Sequence, residues 1–180
     1  DAIFLVAPNK DFIEDELKCI ADFLDNGEKY GKGFVFVADA TAPYLNNFYG
    51  FLEEWGIEVG DGVLFETDSN YHLDKRPTTM GTFPTGGDKI VNGMNYCITS
   101  TNIPLSPVFN EEGDKKLTAF FTTSPSVVIA PKGTSNSWNG ADEYEKGSFA
   151  SIIQSQRSAY DSNSNLIKNN IIALSSVDFV

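Results

Sequence analysis

Histidine is almost absent from this 180-residue chain, with His72 its sole representative. Any Ser-His or Cys-His mechanism would have to run through that residue. It stands in a polar stretch with nothing nearby in sequence to orient its ring, and it reads as an exposed loop histidine. Cysteine is scarce as well. Cys19 and Cys97 lack the C-x-x-C spacing of a redox or zinc site, so they read as two free thiols and leave the compartment open. No apolar run approaches the roughly 20 residues that span a bilayer, and no basic segment followed by an apolar one opens the chain as a signal peptide would. Basic residues are the minority charge, 13 against 25 acidic, for a formal net charge of −12. That balance repels phosphate backbones and anionic lipid headgroups, and it excludes nucleic acid as a partner. The chain has neither G-x-x-x-x-G-K-[ST] nor G-x-G-x-x-G after a strand. Gly31-Lys-Gly33 and Gly86-Gly87 read as turn glycines, and no nucleotide or other cofactor is expected.

What is present is apolar and aromatic. Hydrophobic residues make up 41% of the chain and include 14 Phe, the composition of a packed globular protein. A chain of this size buries roughly 70% of the surface its unfolded form exposes, enough for a core without staples. The expected organisation is one α/β domain over residues 1–180 with a loop-rich excursion at about 66–93. The chain begins inside a strand-like run and stops at Asp178-Phe-Val180, which reads as an excised piece of a longer, membrane-associated protein.

Ala2 to Ala7 is a short, nearly continuous apolar run, the pattern of a strand buried on both faces of a parallel sheet, and Pro8-Asn9 ends it. Asp11 three residues before Glu14 has the spacing of a capping box, and Ile13, Leu17, Ile20 and Leu24 continue as one face of a helix closing at Asn26-Gly27. Phe34 to Ala38 is a second buried strand, and the three elements predict a right-handed βαβ unit. Thr41 as cap, Pro43, then Leu45, Phe48, Leu52 and Trp55 on one face predict a second helix stopped by Gly56. Ile57 to Phe65 reads as an edge strand or as a hairpin around Gly60-Asp61-Gly62. Glu66 to about Gly93 is polar, with no helical period. Strand-like runs return at Tyr96 to Thr99, Leu117 to Thr123, Val127 to Ala130 and Ile171 to Leu174, with a polar excursion around Trp138. The fold class expected from this order is a three-layer, flavodoxin-like or amidotransferase-like α/β domain with a mostly parallel sheet.

Several segments resemble the GldG-type auxiliary domain of uncharacterised ABC-type transport systems. They are Ala2-Ile-Phe-Leu-Val-Ala-Pro-Asn9 with the acidic helix behind it, Leu45-Asn46 leading to Phe51-Leu52, Trp55 to Gly62, and Thr122-Thr-Ser-Pro125. The resemblance is strongest over residues 1–64 and does not extend through 66–116. Where that family's last strand runs into Gly-Asp-Ser-Asp-Phe, this chain has Ser175-Ser-Val-Asp-Phe179 and keeps only the second Asp and the Phe. The resemblance implies an extracytoplasmic accessory domain, tethered to the cell membrane through segments outside this sequence. Its partners would be a permease and an ATPase subunit, it would dock to the permease or present a substrate, and the resemblance brings no catalytic residue set.

An enzyme reading finds little to use. Amidotransferase-like folds set a cysteine on a glycine-flanked strand-to-helix elbow. Cys97 in Asn95-Tyr-Cys-Ile-Thr99 has no adjacent glycine and reads as a strand thiol, so no catalytic residues are assigned. Asp61, Asp68 and Asp74 lie in a loop-rich stretch where oxygen ligands could gather, but their spacing matches no EF-hand and they read as solvated carboxylates, leaving no metal site. In open α/β sheets ligands sit beyond the carboxyl ends of the strands. That rule places a candidate polar small-molecule site, possible for a carbohydrate, at Asn9, Asp39, Thr41, Ser124, Ser176 and Asp178. The same residue types also serve as helix caps and turn formers. Tyr44, Tyr49, Tyr71, Trp138 and Tyr144 are candidates for a stacking or docking surface, or for rings packed over a sheet edge.

Overall fold

In the computed structural model, which describes residues 1–85 and 90–179, the opening apolar run forms β1 (Ala2–Val6) and leads into α1 (Glu14–Asp25) and β2 (Gly33–Val37). β1 and β2 pair in parallel with Ile3 beside Phe34 and Leu5 beside Phe36, as the strand-helix-strand pattern predicts. The remaining elements follow as α2 (Asn46–Glu54), β3 (Ile57–Val59), β4 (Val63–Glu66), β5 (His72–Leu73), β6 (Arg76–Pro84), β7 (Cys97–Ser100) and β8 (Leu105–Pro107). Then come β9 (Glu111–Glu112), β10 (Lys115–Thr122), β11 (Val127–Ala130), a 3-10 turn at Ala141–Glu143, β12 (Ala150–Tyr160), β13 (Leu166–Leu174) and a 3-10 turn at Val177–Phe179.

The expected three-layer, flavodoxin-like or amidotransferase-like α/β architecture is not what forms. Thirteen strands stand against two α-helices among the described residues. Only β1, β2 and β13 run parallel as neighbours; the pairings of β12 with β13 and β10, and of β6 with β10, β5 and β7, are antiparallel. The main sheet runs β1-β2-β13-β12-β10-β6-β5, with β3, β7, β8 and β9 attached at its margins, while β4 and β11 form a separate ribbon. The physical reason lies after α2. Parallel neighbours need crossover helices, and beyond residue 54 the chain supplies turns instead. Asp161 organises one of these turns. Its carboxylate accepts from the amides of Asn163 and Asn165 and from the Asn165 side chain, and the Asn165 side-chain bond first, then its backbone bond, hold that carboxyl below the usual range. The turn sends β13 back along β12 in an antiparallel hairpin.

With both helices packed on one face, the sheet has one covered side and one open side. Phe34, Phe36, Ile171 and Ala173 are buried with Ile20, Leu24, Phe48 and Leu52 from the helices. Phe48 meets Phe36 edge-on with ring centroids 5.0 Å apart and also touches Phe34 and Phe12. Full burial of such a side chain contributes about 1.5–3 kcal/mol. The expectation that β1 is buried on both faces fails, because Phe4 is 68% and Val6 49% exposed on the side without helices. The alternation of a half-buried strand was hidden because Ala2, Phe4 and Val6 are apolar on the open face too.

The helix ends also differ from their sequence signals. Asp11 does not cap α1. The α1 cap bond comes from Glu16, whose carboxylate accepts from the Ile13 N–H at 3.0 Å. Asp11 reaches across to α2 and accepts from the N–H groups of Asn47 and Phe48 at 2.9 and 3.1 Å. Thr41 caps no helix, since its N–H and hydroxyl both donate to Asp39 in a local turn and α2 starts only at Asn46. Gly56 does stop α2 with φ +85, and a Cβ there would meet the Phe109 ring at 2.6 Å. The run 57–65 is two strands that do not pair with each other, β3 joining β8 and β4 joining β11. The stretch 66–93, read as a loop, carries β5 and β6; Gly86-Gly87 lie outside the described residues.

Candidate functional site

The two helices leave a groove between them on the outer surface of the covered side. α1 and α2 start side by side, because Asp11 caps α2 from the residues just before α1 and Asn47 Nδ2 donates to the Phe12 carbonyl at 2.8 Å. From there the helices enclose a recess of about 850 Å³. Its floor is apolar, made by Leu17 and Ala21 of α1, by Phe51 of α2 and by Trp55 just after it, with Gly50 opening the α2 wall. Phe51 and Trp55 lie ring to ring at 6.5 Å and are buried in the main core, which backs the floor from beneath. The rim is acidic, with Glu14 and Asp15 at one end and Asp25 and Glu54 toward the other.

Two cations share the rim, and both are engaged by the protein itself. Lys18 Nζ pairs with Asp22 at 2.8 Å on the outer face of α1, and that hydrogen bond, with the charge behind it, raises the ammonium above its ordinary range. Arg157 Nε pairs with Asp114 at 2.9 Å while its guanidinium covers the Trp55 ring at 5.5 Å. Ser155, buried on β12, donates to the Trp55 carbonyl at 2.6 Å and ties the end of the groove to the sheet. An apolar floor between carboxylate walls suits an amphipathic helix laid along it.

The residues assigned to the strand-end crevice are only partly brought together. Val6, Val37 and Leu174 are in register at the carboxyl ends of β1, β2 and β13. Asn9, then Asp39 with Thr41, then Ser176 with Asp178 therefore follow three adjacent strands. Within this group Asp39 serves the Thr41 turn. Ser176 donates to the Ser100 carbonyl at 2.6 Å and accepts from the Asp178 N–H. Ser124 stands apart and is buried, bonded to Glu66 together with Ser126. Glu66 is a buried carboxylate that the sequence did not single out. It accepts from both hydroxyls and from the Asp68 N–H at 2.9 Å, which fastens β4 to the turn before β11.

The aromatic candidates separate into pairs. Tyr44 and Tyr49 meet edge-on at 4.8 Å, and Tyr44 donates to the Val59 carbonyl. Trp138 packs between Phe65 and Tyr144, while Tyr71 meets Phe83. Burial first, then the charges of Tyr44, Asp61 and Asp11, push the Tyr49 phenol up to about 12. Both cysteines are free thiols, Cys19 exposed on α1 and Cys97 half-buried on β7. His72 lies on β5 opposite Met80. Among the described residues no three His, Cys, Asp or Glu side chains gather to hold a metal. Asp61 pairs with Lys132 at 3.2 Å, and Asp68 accepts from the Asn70 amides in a turn. Among the described residues no helix is long and apolar enough to cross a membrane.

No family model and no curated protein matches the chain. Among solved structures it is similar to one described as the mmIFT52 N-terminal domain, at 13% identity and a TM-score of 0.57, over 97% of this chain. The chain spans 65% of the length of that structure. At that identity the likeness is one of fold alone. It covers the whole mixed, strand-rich architecture, which again sets the flavodoxin-like reading aside, and it does not bear on the GldG-type resemblance.

Proposed function

We propose that this chain is an accessory docking domain that receives a helix of a partner protein in the groove between α1 and α2. The observation that carries this reading is the groove itself, a recess between two helix walls with half-exposed Leu17 and Ala21 on one side and the buried Phe51 and Trp55 beneath. Such helix-in-groove sites bind through apolar anchors at helical spacing. The segments that resemble the GldG-type domain include β1, the acidic helix α1 behind it, and α2 from Asn46 to Leu52, and so take in both walls of the groove. On that resemblance the docking partner is the permease of an ABC-type transport system, with the ATPase subunit in the same assembly, and the domain works outside the cytoplasm, tethered to the membrane.

The test is a displayed library of helical peptides, randomised in charge, selected on the wild-type domain and counter-screened on Gly50→Trp. A Cβ at Gly50 meets nothing within 4 Å, so the backbone there accepts a side chain, and an indole at this position occupies space in the recess that Gly50 lines. The selected peptides are expected to lose binding to Gly50→Trp while the variant keeps the wild-type unfolding temperature to within a few degrees. Peptides that bind both forms equally would show that the docking surface lies elsewhere.

A further inference from the structure

The groove's charge pattern carries more than the presence of a docking site, because part of it has no use to the chain itself. Glu14 and Asp15 have a local role, as they stand in the first turn of α1 where negative charge complements the helix dipole. Glu54 is different. It is the last residue of α2, where the helix already presents partial negative charge, and neither helix has a basic residue in its last turn. Lys115 bonds the Glu54 backbone carbonyl at 2.5 Å, and among the described residues nothing pairs with the Glu54 carboxylate. Asp25 repeats the pattern as the last residue of α1, although its carboxylate also accepts from the Glu28 N–H at 3.0 Å. Two carboxylates are thus set against their own helix dipoles at the same end of one groove.

Gly50 is an independent observation. It sits in the interior of α2, exposed, where glycine is a poor helix former. A Cβ there would meet nothing in this chain within 4 Å, so internal packing does not require the glycine. What a missing side chain provides on an exposed helix wall is room for another backbone to come close. Of the nearby cations, Lys18 and Arg157 are engaged by Asp22 and Asp114, and the Lys115 ammonium is held by the Glu54 backbone carbonyl and not by its carboxylate.

We infer that the groove's occupant is a basic amphipathic helix of a partner protein. Its apolar face would rest on Leu17, Ala21, Phe51 and Trp55. Its Lys or Arg side chains would flank that face toward Glu14 and Asp15 at one end and toward Glu54 and Asp25 at the other. α1 has 12 residues, about 18 Å of wall, which sets the bound segment at roughly three turns. This inference rests on the docking reading and adds the charge class of the partner.

The experiment uses three synthetic peptides of about 15 residues, a length that sustains a helix, with the same leucine stripe and with Lys, Gln or Glu on the flanks. Binding is read from Trp55 fluorescence in a Trp138→Phe background and by calorimetry. The Lys peptide is expected to bind at least tenfold more tightly than the Gln peptide, and the Glu peptide more weakly still. Glu54→Lys is expected to weaken the Lys peptide tenfold or more without lowering the unfolding temperature, with Glu54→Gln between the two. Glu143→Lys, on the 3-10 turn and outside the groove, is the control for net charge. If Glu143→Lys weakens the Lys peptide as much as Glu54→Lys does, the attraction belongs to the net charge of −12 and the inference fails. If all three peptides bind alike and Gly50→Trp blocks them, the charge class is wrong while the docking reading stands. If none binds, both fail.

Discussion

Asp11 shows how much a single side chain can hold that local spacing misassigns. In sequence it faces Glu14 at the distance of a capping box; in the fold its carboxylate satisfies two amides at the start of α2, 36 and 37 positions away. Replacing it with Ala removes both bonds and leaves only the Asn47 side-chain bond to the Phe12 carbonyl linking the two helix starts. Loss of a helix cap costs about 0.5–2 kcal/mol, so Asp11→Ala is expected to lower stability by about 1 kcal/mol in urea unfolding, with Glu16→Ala giving a smaller loss on α1. Tyr49 gives a pH signature at the same scale. Its folded pKa lies at about 12, above the usual value near 10 for an unfolded tyrosine. Between those values the unfolded chain has released the proton that the native chain still holds, so stability falls as pH rises through that window and is unaffected below it. Tyr49→Phe keeps the ring and is expected to flatten this alkaline loss when unfolding is compared at pH 8 and pH 11. Cap types and turn residues such as Asp39 and Thr41 are legible in sequence; which helix a carboxylate caps is a tertiary fact.

At the scale of elements, legibility followed hydrophobic pattern. β2, β11 and the apolar face of α2 are continuous or periodic apolar segments, and they form where the pattern puts them. β12 escaped because Ser151 and Ser155 flank Ile153 on the core side and are fully buried, so its core-facing series carries a single large apolar residue. The burial is tolerated because both hydroxyls donate to backbone carbonyls, Ser151 to Phe121 and Ser155 to Trp55. β6 was hidden for a similar reason, since Arg76-Pro-Thr-Thr and Gly81 have the composition of a loop, yet register with β7 extends the strand. Gly50 gives the prediction that belongs to this scale. Gly50→Ala adds a methyl group into open space on an exposed helix, and it is expected to raise stability by about 0.5–1 kcal/mol while weakening the docked helix. A variant that is no more stable than wild type would mean that the glycine serves the fold itself.

For the molecule as a whole, the decisive feature is that two helices cover only one side of the sheet. A mostly parallel, three-layer fold would have covered β1 and β2 on both sides, and Phe4 and Val6 on the open side mark the difference. Two surfaces therefore compete as the place where a partner binds: the acidic groove between α1 and α2, and the open sheet face with Phe4, Val35 and Ile172. The candidate crevice, inferred from strand ends alone, depended on a fold class that did not form, although three of its strand ends do lie side by side. The groove was not legible because it needs α1 and α2 beside each other, and nothing in either helix alone announces the other. The measurement that separates the surfaces is an amide chemical-shift titration of the isotope-labelled domain with the Lys-flanked helical peptide. The account predicts that the largest shifts fall on Leu17, Ala21, Gly50, Phe51 and Trp55. Shifts centred on Phe4, Val35 and Ile172, with the α1–α2 amides unmoved, would contradict it.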